Sequence, residues 1–186
     1  MSVKQHLVTA EELWEMPEVP GKRYELVDGE LVEMPGAGAE HVWIAFALAQ
    51  LLNDFARQHH LGFAVPDGLA YVLRRNPDHV RIPDVSFVAG VDVTKEGLPK
   101  TYWEGSPTLA VEIVSPNDRA MEIDERVRDY LDSGSHQVWV LWPNRRAVSV
   151  HRPGADIREL GPEAILKGGN ILPGFSVRVS DLFEIR

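Results

Sequence analysis

Two carboxylates stand in the apolar, strand-like parts of the sequence, where acidic residues are uncommon. Asp84 follows Pro83 at the start of the alternating run 81–88 (RIPDVSFV), and Glu112 lies inside the run 109–114 (LAVEIV). Because side chains of a strand alternate between its two faces, Glu112 shares a face with the residues two positions away. An ionised glutamate buried there is costly unless it pairs with a cation or binds a metal ion. These two residues are therefore the first candidates for chemistry.

The stretch between the two runs is short, so the strands can be neighbours in one sheet, with both carboxylates within reach of one cation. Two hard oxygen ligands, a backbone carbonyl and several waters describe a Mg²⁺ site. The alternative is purely structural, because ion-pair networks occupy such places too. Glu112 would then pair with an arginine on a helix, and Asp84 would only cap a turn. The residues alone leave both interpretations open.

Other catalytic motifs are incomplete or absent from the sequence. The segment 36–41 (GAGAEH) begins like a dinucleotide-binding fingerprint, but His41 stands at the third glycine position. The sequence has no Walker loop, no HExxH and no GxSxG motif, so a serine nucleophile has no visible context. Zero cysteines exclude a disulfide framework, a thiolate zinc site and a cysteine nucleophile.

The elements that position the two carboxylates begin with a short helix and a hairpin. Thr9 followed by two glutamates predicts an N-capped helix that ends before Pro17. The Asp28-Gly29 pair between two alternating segments of residues 24–34 predicts a β-hairpin. Apolar residues at helical spacing then predict a helix of about five turns over 41–60, with His59 and His60 in its last turn. The apolar positions of this helix are Ile44, Leu48, Leu51, Leu52 and Phe55.

Short strands dominate the rest of the chain. They are predicted at 62–65, 68–73, 83–90, 108–115, 137–142, 147–152 and 176–179. The run 108–115 is the most apolar of these and reads as a central strand. A second helix is predicted from about Arg119 to Leu131, ending near Gly134. This order gives an α/β fold with a mixed central β-sheet flanked by helices and an N-terminal β-hairpin.

Length and charge limit the possible functions. The 186 residues are expected to form a single domain, 1–186. No apolar run is long enough to span a membrane, and the N-terminal segment lacks the apolar stretch of a signal peptide, so we expect a cytoplasmic protein. A net charge of −9 opposes general nucleic-acid binding. A local basic surface would have to come from arginines, either solvated or facing phosphates: Arg74, Arg75 and Arg81, or Arg145 and Arg146.

Several short motifs also occur in a particular order along almost the whole chain. They are 9–13 (TAEEL), 24–32 (YELVDGELV), His41 at the start of the long helix, 81–85 (RIPDV), 111–116 (VEIVSP), Tyr130, Gly134, Trp139, 172–174 (LPG) and 182–183 (LF). With these motifs the chain resembles the Uma2 family, also numbered as domain of unknown function 820. That family belongs to the PD-(D/E)XK, or restriction-endonuclease-like, nuclease superfamily.

The resemblance implies a restriction-endonuclease-like fold and a role for particular residues. Asp84 would be the acid of the PD motif, Glu112 the second metal carboxylate and the Ile113 carbonyl a further ligand of Mg²⁺ or Mn²⁺. Glu25, in the YEL motif, and His41 would line the same cleft. The predicted catalytic set is therefore Asp84, Glu112, Arg126, His41 and Glu25.

Arg126 belongs to this set although the chain departs here from the superfamily pattern. A lysine usually follows the second acid by two positions, where this chain has Val114. Uma2-like proteins supply the base from the next helix in a Glu-Lys pair, which aligns with Glu125-Arg126. An arginine, with a pKa above roughly 12, cannot act as a general base. Arg126 would instead clamp the scissile phosphate, or form an i,i+4 ion pair with Glu122.

The expected function is a metal-dependent endonuclease that hydrolyses DNA phosphodiester bonds. We expect a homodimer, because two sites cleave two strands most easily. One alternative is a catalytically weak or inactive nuclease-fold protein that serves as a binding or interaction module. Another is a metal-dependent hydrolase of a smaller substrate, which would suit the acidic surface.

Overall fold

The computed structural model describes residues 6–91, 97–116 and 118–184. Its helices are α1 (Ala10–Glu15), α2 (Ala39–Gln58) and α3 (Ala120–Asp132). Its strands are β1 (Tyr24–Val27), β2 (Glu30–Glu33), β3 (Gly62–Pro66), β4 (Tyr71–Arg74), β5 (His79–Arg81), β6 (Val85–Ala89), β7 (Trp103–Glu104), β8 (Leu109–Ile113), β9 (Gln137–Trp142), β10 (Ala147–His151), β11 (Arg158–Leu160), β12 (Ile165–Lys167) and β13 (Ser176–Arg178). None of the helices within these ranges is long and apolar enough to cross a membrane.

The central sheet has six strands in the order β11-β10-β9-β8-β6-β3. Strands β8 and β9 run parallel, because α3 connects them as a crossover, and the other neighbours are antiparallel. Every residue of β8 is buried, as its apolar run predicts. The core on one face of the sheet includes Ile44 and Leu48 of α2, and that on the other includes Ile123 and Val127 of α3. The prediction of a mixed sheet flanked by helices is confirmed.

The N-terminal hairpin belongs to a second sheet, ordered β2-β1-β5-β4-β7. Asp28 and Gly29 both have positive φ angles, 54° and 81°, which suits the tight turn that right-twisted hairpins favour. Leu13 of α1 packs on this sheet with Leu26 and Val80. The predicted hairpin is thus confirmed, and the sheet around it forms a layer of its own.

Pro83 and Asp84 lie where the chain passes from the N-terminal sheet to the central sheet. Strand β5 ends at Arg81 in the first, and β6 begins at Val85 in the second. The sequence pattern predicts a single strand from Pro83 onward and gives no sign of β5, which is only three residues long. Because proline has no N–H to donate, a ladder ends readily at Pro83.

The predicted helices are confirmed, with small corrections at their ends and faces. A capping box between Thr9 and Glu12 starts α1, and α3 has nearly its predicted bounds. The helix α2 ends at Gln58, so His59 is its C-terminal cap and His60, with a φ of 54°, lies beyond it. Leu51 was expected on the apolar face of α2 but is exposed. Strands β7, β11 and β12 were not predicted from the sequence, because runs of two or three residues show little periodicity.

Candidate functional site

The register of β6 against β8 brings the two sequence-predicted carboxylates to one place. Val85 pairs with Val111 and Ser86 with Ala110 in this antiparallel ladder. The ladder ends at Val85 and Val111, and Asp84 and Glu112 are the next residues beyond it. The charge of Asp84 accordingly acts on Glu112 and is one of the causes that raise the pKa of its carboxyl.

Pro83 leaves the backbone carbonyl of Ile113, next to Glu112, without a hydrogen-bond donor from the neighbouring strand segment. Val114 N donates to Leu141 O of β9. Because successive residues of a strand direct their backbone groups to opposite neighbours, the N–H and carbonyl of Ile113 face β6. The register places Pro83 opposite Ile113, and Pro83 has no N–H to offer the Ile113 carbonyl. Ile113 N donates instead to Asp84 Oδ2 at 2.6 Å. The Ile113 carbonyl, predicted as a metal ligand, therefore has no ladder donor from Pro83.

His41, in the first turn of α2, contacts Asp84 directly. Its Nε2 is 2.9 Å from Asp84 Oδ1, and its Nδ1 is 3.1 Å from Ser115 Oγ, just beyond β8. Burial favours the neutral ring and is the largest influence on the His41 pKa. The hydrogen bond to Asp84 and the charges of Asp84, Asp118 and Glu112 together outweigh burial and raise that pKa above its ordinary value.

Glu112 lies on the α3 side of the sheet and is almost completely buried. The Tyr130 hydroxyl donates to its Oε1 at 2.9 Å, and Arg126 NH1 is 3.5 Å from the same oxygen. Burial is the largest effect on its pKa, which rises to about 8 even though Arg126 and the Tyr130 hydrogen bond favour the ionised form. Glu112 thus changes its protonation state near neutral pH.

Arg126 reaches the site from α3 and is held mainly by Glu25. Its NH1 and NH2 donate to the two carboxylate oxygens of Glu25 at 3.0 and 2.9 Å. Burial opposes its charge as the largest effect, but Glu112 and Glu25 raise its pKa well above the ordinary value, so the guanidinium stays protonated. The recorded ion pairs of Arg126 are to Glu25 and Glu112, whereas the alternative partner Glu122 pairs with Arg119 at 4.0 Å.

Glu25 does not line an open cleft, contrary to expectation. It is fully buried on β1, where Arg81 NH1 and Ile82 N also donate to it, at 2.9 and 2.8 Å. Arg81 continues the network to Asp129 of α3, with donors at 2.8 and 2.6 Å. A carboxylate with four such donors is a structural anchor between the two sheets and α3.

The arginines expected to form a basic surface are already neutralised. Arg81 is buried, Arg74 contacts Asp28 and His79, and Arg75 contacts three carboxylates. Arg81 is therefore not a solvated surface charge, and the interpretation of Arg74 and Arg75 as phosphate contacts stays a prediction. Arg145 lies over the Trp142 ring at 4.5 Å.

The donor set can be tested for its fit to a divalent cation. Within the described ranges, no three His, Cys, Asp or Glu side chains converge to form a metal-binding group. Mg²⁺ needs fewer protein ligands, because it keeps several waters and is commonly bound through one or two carboxylates. Asp84 and Glu112 are two hard oxygen donors whose charges interact, and Asp84 binds the N–H of Ile113, whose carbonyl is the third predicted ligand. These residues fit a Mg²⁺ or Mn²⁺ ion.

Comparison with known proteins identifies the family. The family model Uma2, described as "Putative restriction endonuclease", matches residues 10–180. The chain belongs to the Uma2 family. The family resemblance inferred from the sequence is thereby confirmed, and it supports a nuclease-like function.

One solved structure extends the comparison to the fold of Uma2 proteins. It is the crystal structure of "a putative nuclease belonging to DUF820" from Anabaena variabilis, with a TM-score of 0.80 and 20% identity. The match covers 95% of this chain and 97% of that one, so the restriction-endonuclease-like fold is confirmed. No curated protein matches the chain.

Sequence reasoning alone missed part of this Uma2 site. Asp129 belongs to none of the motifs, and Arg81 opens the motif 81–85 without any sign of its partner, because their contact depends on the approach of β5 to α3. Tyr130 and Ser115 occur among the family motifs, but nothing in the sequence assigns them a partner. A signal for Tyr130 was available, because it follows Arg126 by four positions and therefore lies on the same face of α3.

Proposed function

We propose that the chain is a metal-dependent endonuclease that hydrolyses DNA phosphodiester bonds, with Asp84, Glu112 and the Ile113 carbonyl as ligands of Mg²⁺ or Mn²⁺. The observation that carries the proposal is the position of Asp84 and Glu112 directly beyond the last ladder pair of β6 and β8, where the charge of Asp84 acts on Glu112. Family membership supports it, since the family is described as "Putative restriction endonuclease". The Anabaena protein, described as "a putative nuclease", has the same fold.

The cation would supply the charge that the reaction requires. When bound, Mg²⁺ or Mn²⁺ would polarise a phosphate oxygen and lower the pKa of a water molecule. His41 orients Asp84 through Nε2 and can hold a proton at Nδ1, which faces Ser115. Arg126 keeps a fixed positive charge beside Glu112 and so favours the ionised form of this ligand.

Arg126 pairs with Glu25 and Glu112, and not with Glu122 as one interpretation of the sequence had it. A guanidinium with a further raised pKa does not accept a proton, so it is not a general base. Both of its terminal nitrogens bind Glu25, which leaves it poorly placed to clamp a phosphate. Its proposed role is electrostatic, as the counter-charge of two buried carboxylates.

A second candidate function, a binding module with weak or no hydrolytic activity, is favoured by the same arginine. Arg126 takes the place of the lysine base of the family, and burial raises the pKa of Glu112, which opposes the ionised form that a metal needs. Arg126→Lys separates the two candidates. We expect it to increase the rate of DNA cleavage, since a lysine can release a proton; a binding module would remain inactive.

Calorimetry tests the metal site. Titration of Mn²⁺ into the wild type should show binding at millimolar metal or below, and Asp84→Ala with Glu112→Ala should abolish it. Asp54→Asn, which alters an exposed carboxylate of α2, is the matched control and should bind like the wild type. Absence of divalent binding to the wild type would contradict the proposal.

Plasmid DNA then tests the reaction. We expect Mn²⁺-dependent nicking by the wild type and by Asp54→Asn, and none by the double variant. A purified double variant that cleaves as fast as the wild type would mean that a contaminant is responsible. Metal binding without any cleavage would leave the binding module as the function.

A further inference from the structure

A closed ring of contacts joins α2, the link before β6 and the segment after β8. Asp84 Oδ1 contacts His41 Nε2 at 2.9 Å, and His41 Nδ1 contacts Ser115 Oγ at 3.1 Å. Two residues back along the chain, Ile113 N donates to Asp84 Oδ2 at 2.6 Å and closes the ring. Each ring nitrogen of His41 and each oxygen of Asp84 therefore has a partner within this ring.

Ser115 is itself held in place by the turn that follows β8. Its N–H donates to Asp118 Oδ2 at 2.7 Å, and its carbonyl accepts from Asp118 N at 3.1 Å. The hydroxyl is thus presented to His41 from a fixed backbone. A second attachment point fixes an imidazole far better than one, because a ring held at one nitrogen can still pivot about that contact.

The two partners of His41 have different effects on its ring. An ionised Asp84 only accepts hydrogen bonds, so Nε2 must carry the proton that it receives. Nδ1 of the neutral ring then has a lone pair, and the Ser115 hydroxyl donates to it. Asp84 therefore determines the tautomer, and Ser115 determines the plane of the ring.

We propose that Ser115 is a positioning residue of the metal site, which holds His41 so that His41 in turn holds the Asp84 carboxylate in its ligand orientation. This role in metal binding rests on the proposed function, whereas the ring of contacts exists without a metal. Groups that orient metal ligands in this way typically change metal affinity about 10- to 100-fold when they are removed.

Nitrogen NMR of the His41 ring tests the contact itself. We expect a wild-type ring protonated at Nε2, with the Nδ1 resonance shifted by an accepted hydrogen bond. In Ser115→Ala the Nδ1 resonance should move to the position of a free acceptor nitrogen, while Ser115→Thr should restore it. His41→Gln assigns the signals. An unchanged Nδ1 resonance in Ser115→Ala would overturn the proposal.

Metal affinity tests the consequence of that contact. Ser115→Ala should weaken Mn²⁺ binding about tenfold in calorimetry, and Ser115→Thr should recover most of the loss. Ser106→Ala is the matched control, since the Ser106 hydroxyl donates to Ser133 O, away from the site. Equal affinities of Ser115→Ala and the wild type would overturn the proposal and leave the metal site intact.

Two further outcomes distinguish the possible failures. A wild type that binds no Mn²⁺ but shows the predicted Nδ1 shift would contradict the proposed function. The same result would confirm the contact between His41 and Ser115 and would overturn the role of Ser115 in metal binding. Labelling of Ser115 by a fluorophosphonate, lost in His41→Gln, would make Ser115 a nucleophile activated by His41 and would overturn its positioning role. We expect no labelling.

Discussion

Arg126 shows how one residue alters a site while the fold around it is kept. Its guanidinium joins Glu25 of the N-terminal sheet to Glu112 of the central sheet, with all three groups buried or nearly so. A buried carboxylate that loses its cation is left with an uncompensated charge, which costs more than the pair contributes when intact. The arginine is therefore needed for stability whatever its part in catalysis.

Removal of Arg126 should destabilise the protein strongly. We expect Arg126→Ala to lower the free energy of unfolding by about 3 kcal/mol, because Glu25 and Glu112 lose their shared counter-charge. Arg126→Lys keeps the charge and should lose less. Urea denaturation measures both. Arg128→Ala, at an exposed arginine inside α3, should stay within about 0.5 kcal/mol of the wild type. If Arg126→Ala also lost no more than about 0.5 kcal/mol, that result would contradict the role of a buried counter-charge.

The raised pKa of Glu112 predicts a pH dependence of stability. Between its ordinary value and about 8, the folded protein keeps a proton that the unfolded chain releases. Stability should therefore fall as pH rises through this window, by up to about 1.4 kcal/mol per pH unit. Glu112→Gln should remove that part of the dependence in metal-free urea denaturation at pH 5.5 and 7.5. The exposed control Glu163→Gln should follow the wild type, and parallel curves for all three proteins would contradict the prediction.

Metal binding should depend on pH in the opposite direction. A cation binds the ionised Glu112 and must displace its proton below about pH 8, so Mn²⁺ affinity should rise from pH 6 to pH 8. Calorimetry in two buffers of different ionisation enthalpy should also detect proton release on binding. An affinity independent of pH across this range would show that Glu112 is not a ligand.

At the scale of elements, the site depends on the register between β3, β6 and β8. Asp84 lies at the start of β6, and β3 holds the other edge of that strand from Gly62 to Pro66. Gly62 has a φ of 141°, and a Cβ at this position would lie 2.0 Å from Val88 O of β6. This glycine is required because the neighbouring backbone approaches too closely for any side chain.

Gly62→Ala should therefore disturb the sheet that presents Asp84. We expect a loss of about 3 kcal/mol in the free energy of unfolding, because the backbone of β6 has to move and the φ angle is strained. Gly36→Ala is the control: its Cβ would meet nothing within 4 Å, and its effect should stay within about 1 kcal/mol. Thermal denaturation compares them, and equal melting temperatures would contradict the prediction.

At the scale of the molecule, charge and assembly govern how the site would meet DNA. The net charge is −9, and Arg74, Arg75 and Arg81 contact carboxylates, which reduces the positive potential that these arginines offer to phosphates. Cleavage of both strands of a duplex needs two sites, which one chain does not offer. Assembly of two chains would supply them.

We therefore expect a homodimer in solution. Sedimentation velocity at micromolar concentration should give the mass of two chains of 20.8 kDa each. Plasmid cleavage should then show linear product, from paired cuts, together with nicked circles. A monomer at all concentrations, or nicked product alone, would contradict the dimeric arrangement.

The sequence by itself determined the elements and the chemical character of the site. Period-two and helical patterns, the Asp28-Gly29 turn and the Thr9 cap depend on local geometry, so the helices, the hairpin and β8 were predictable. Because a buried charge is costly unless it is paired, Asp84 and Glu112 were candidates for metal binding or ion pairing. The ordered motifs indicated the family and its fold. The single domain over 1–186 stays a prediction.

The tertiary structure decided which charges meet. The contacts of Glu25 with Arg126, of Arg81 with Asp129 and of His41 with Ser115 join residues that lie 101, 48 and 74 positions apart. Local periodicity does not encode such distances, because they depend on strand order and on the approach of α2 and α3 to the sheets. For the same physical reason, the sequence indicated Arg126 as a possible phosphate clamp, and only the fold showed it bound between two buried carboxylates.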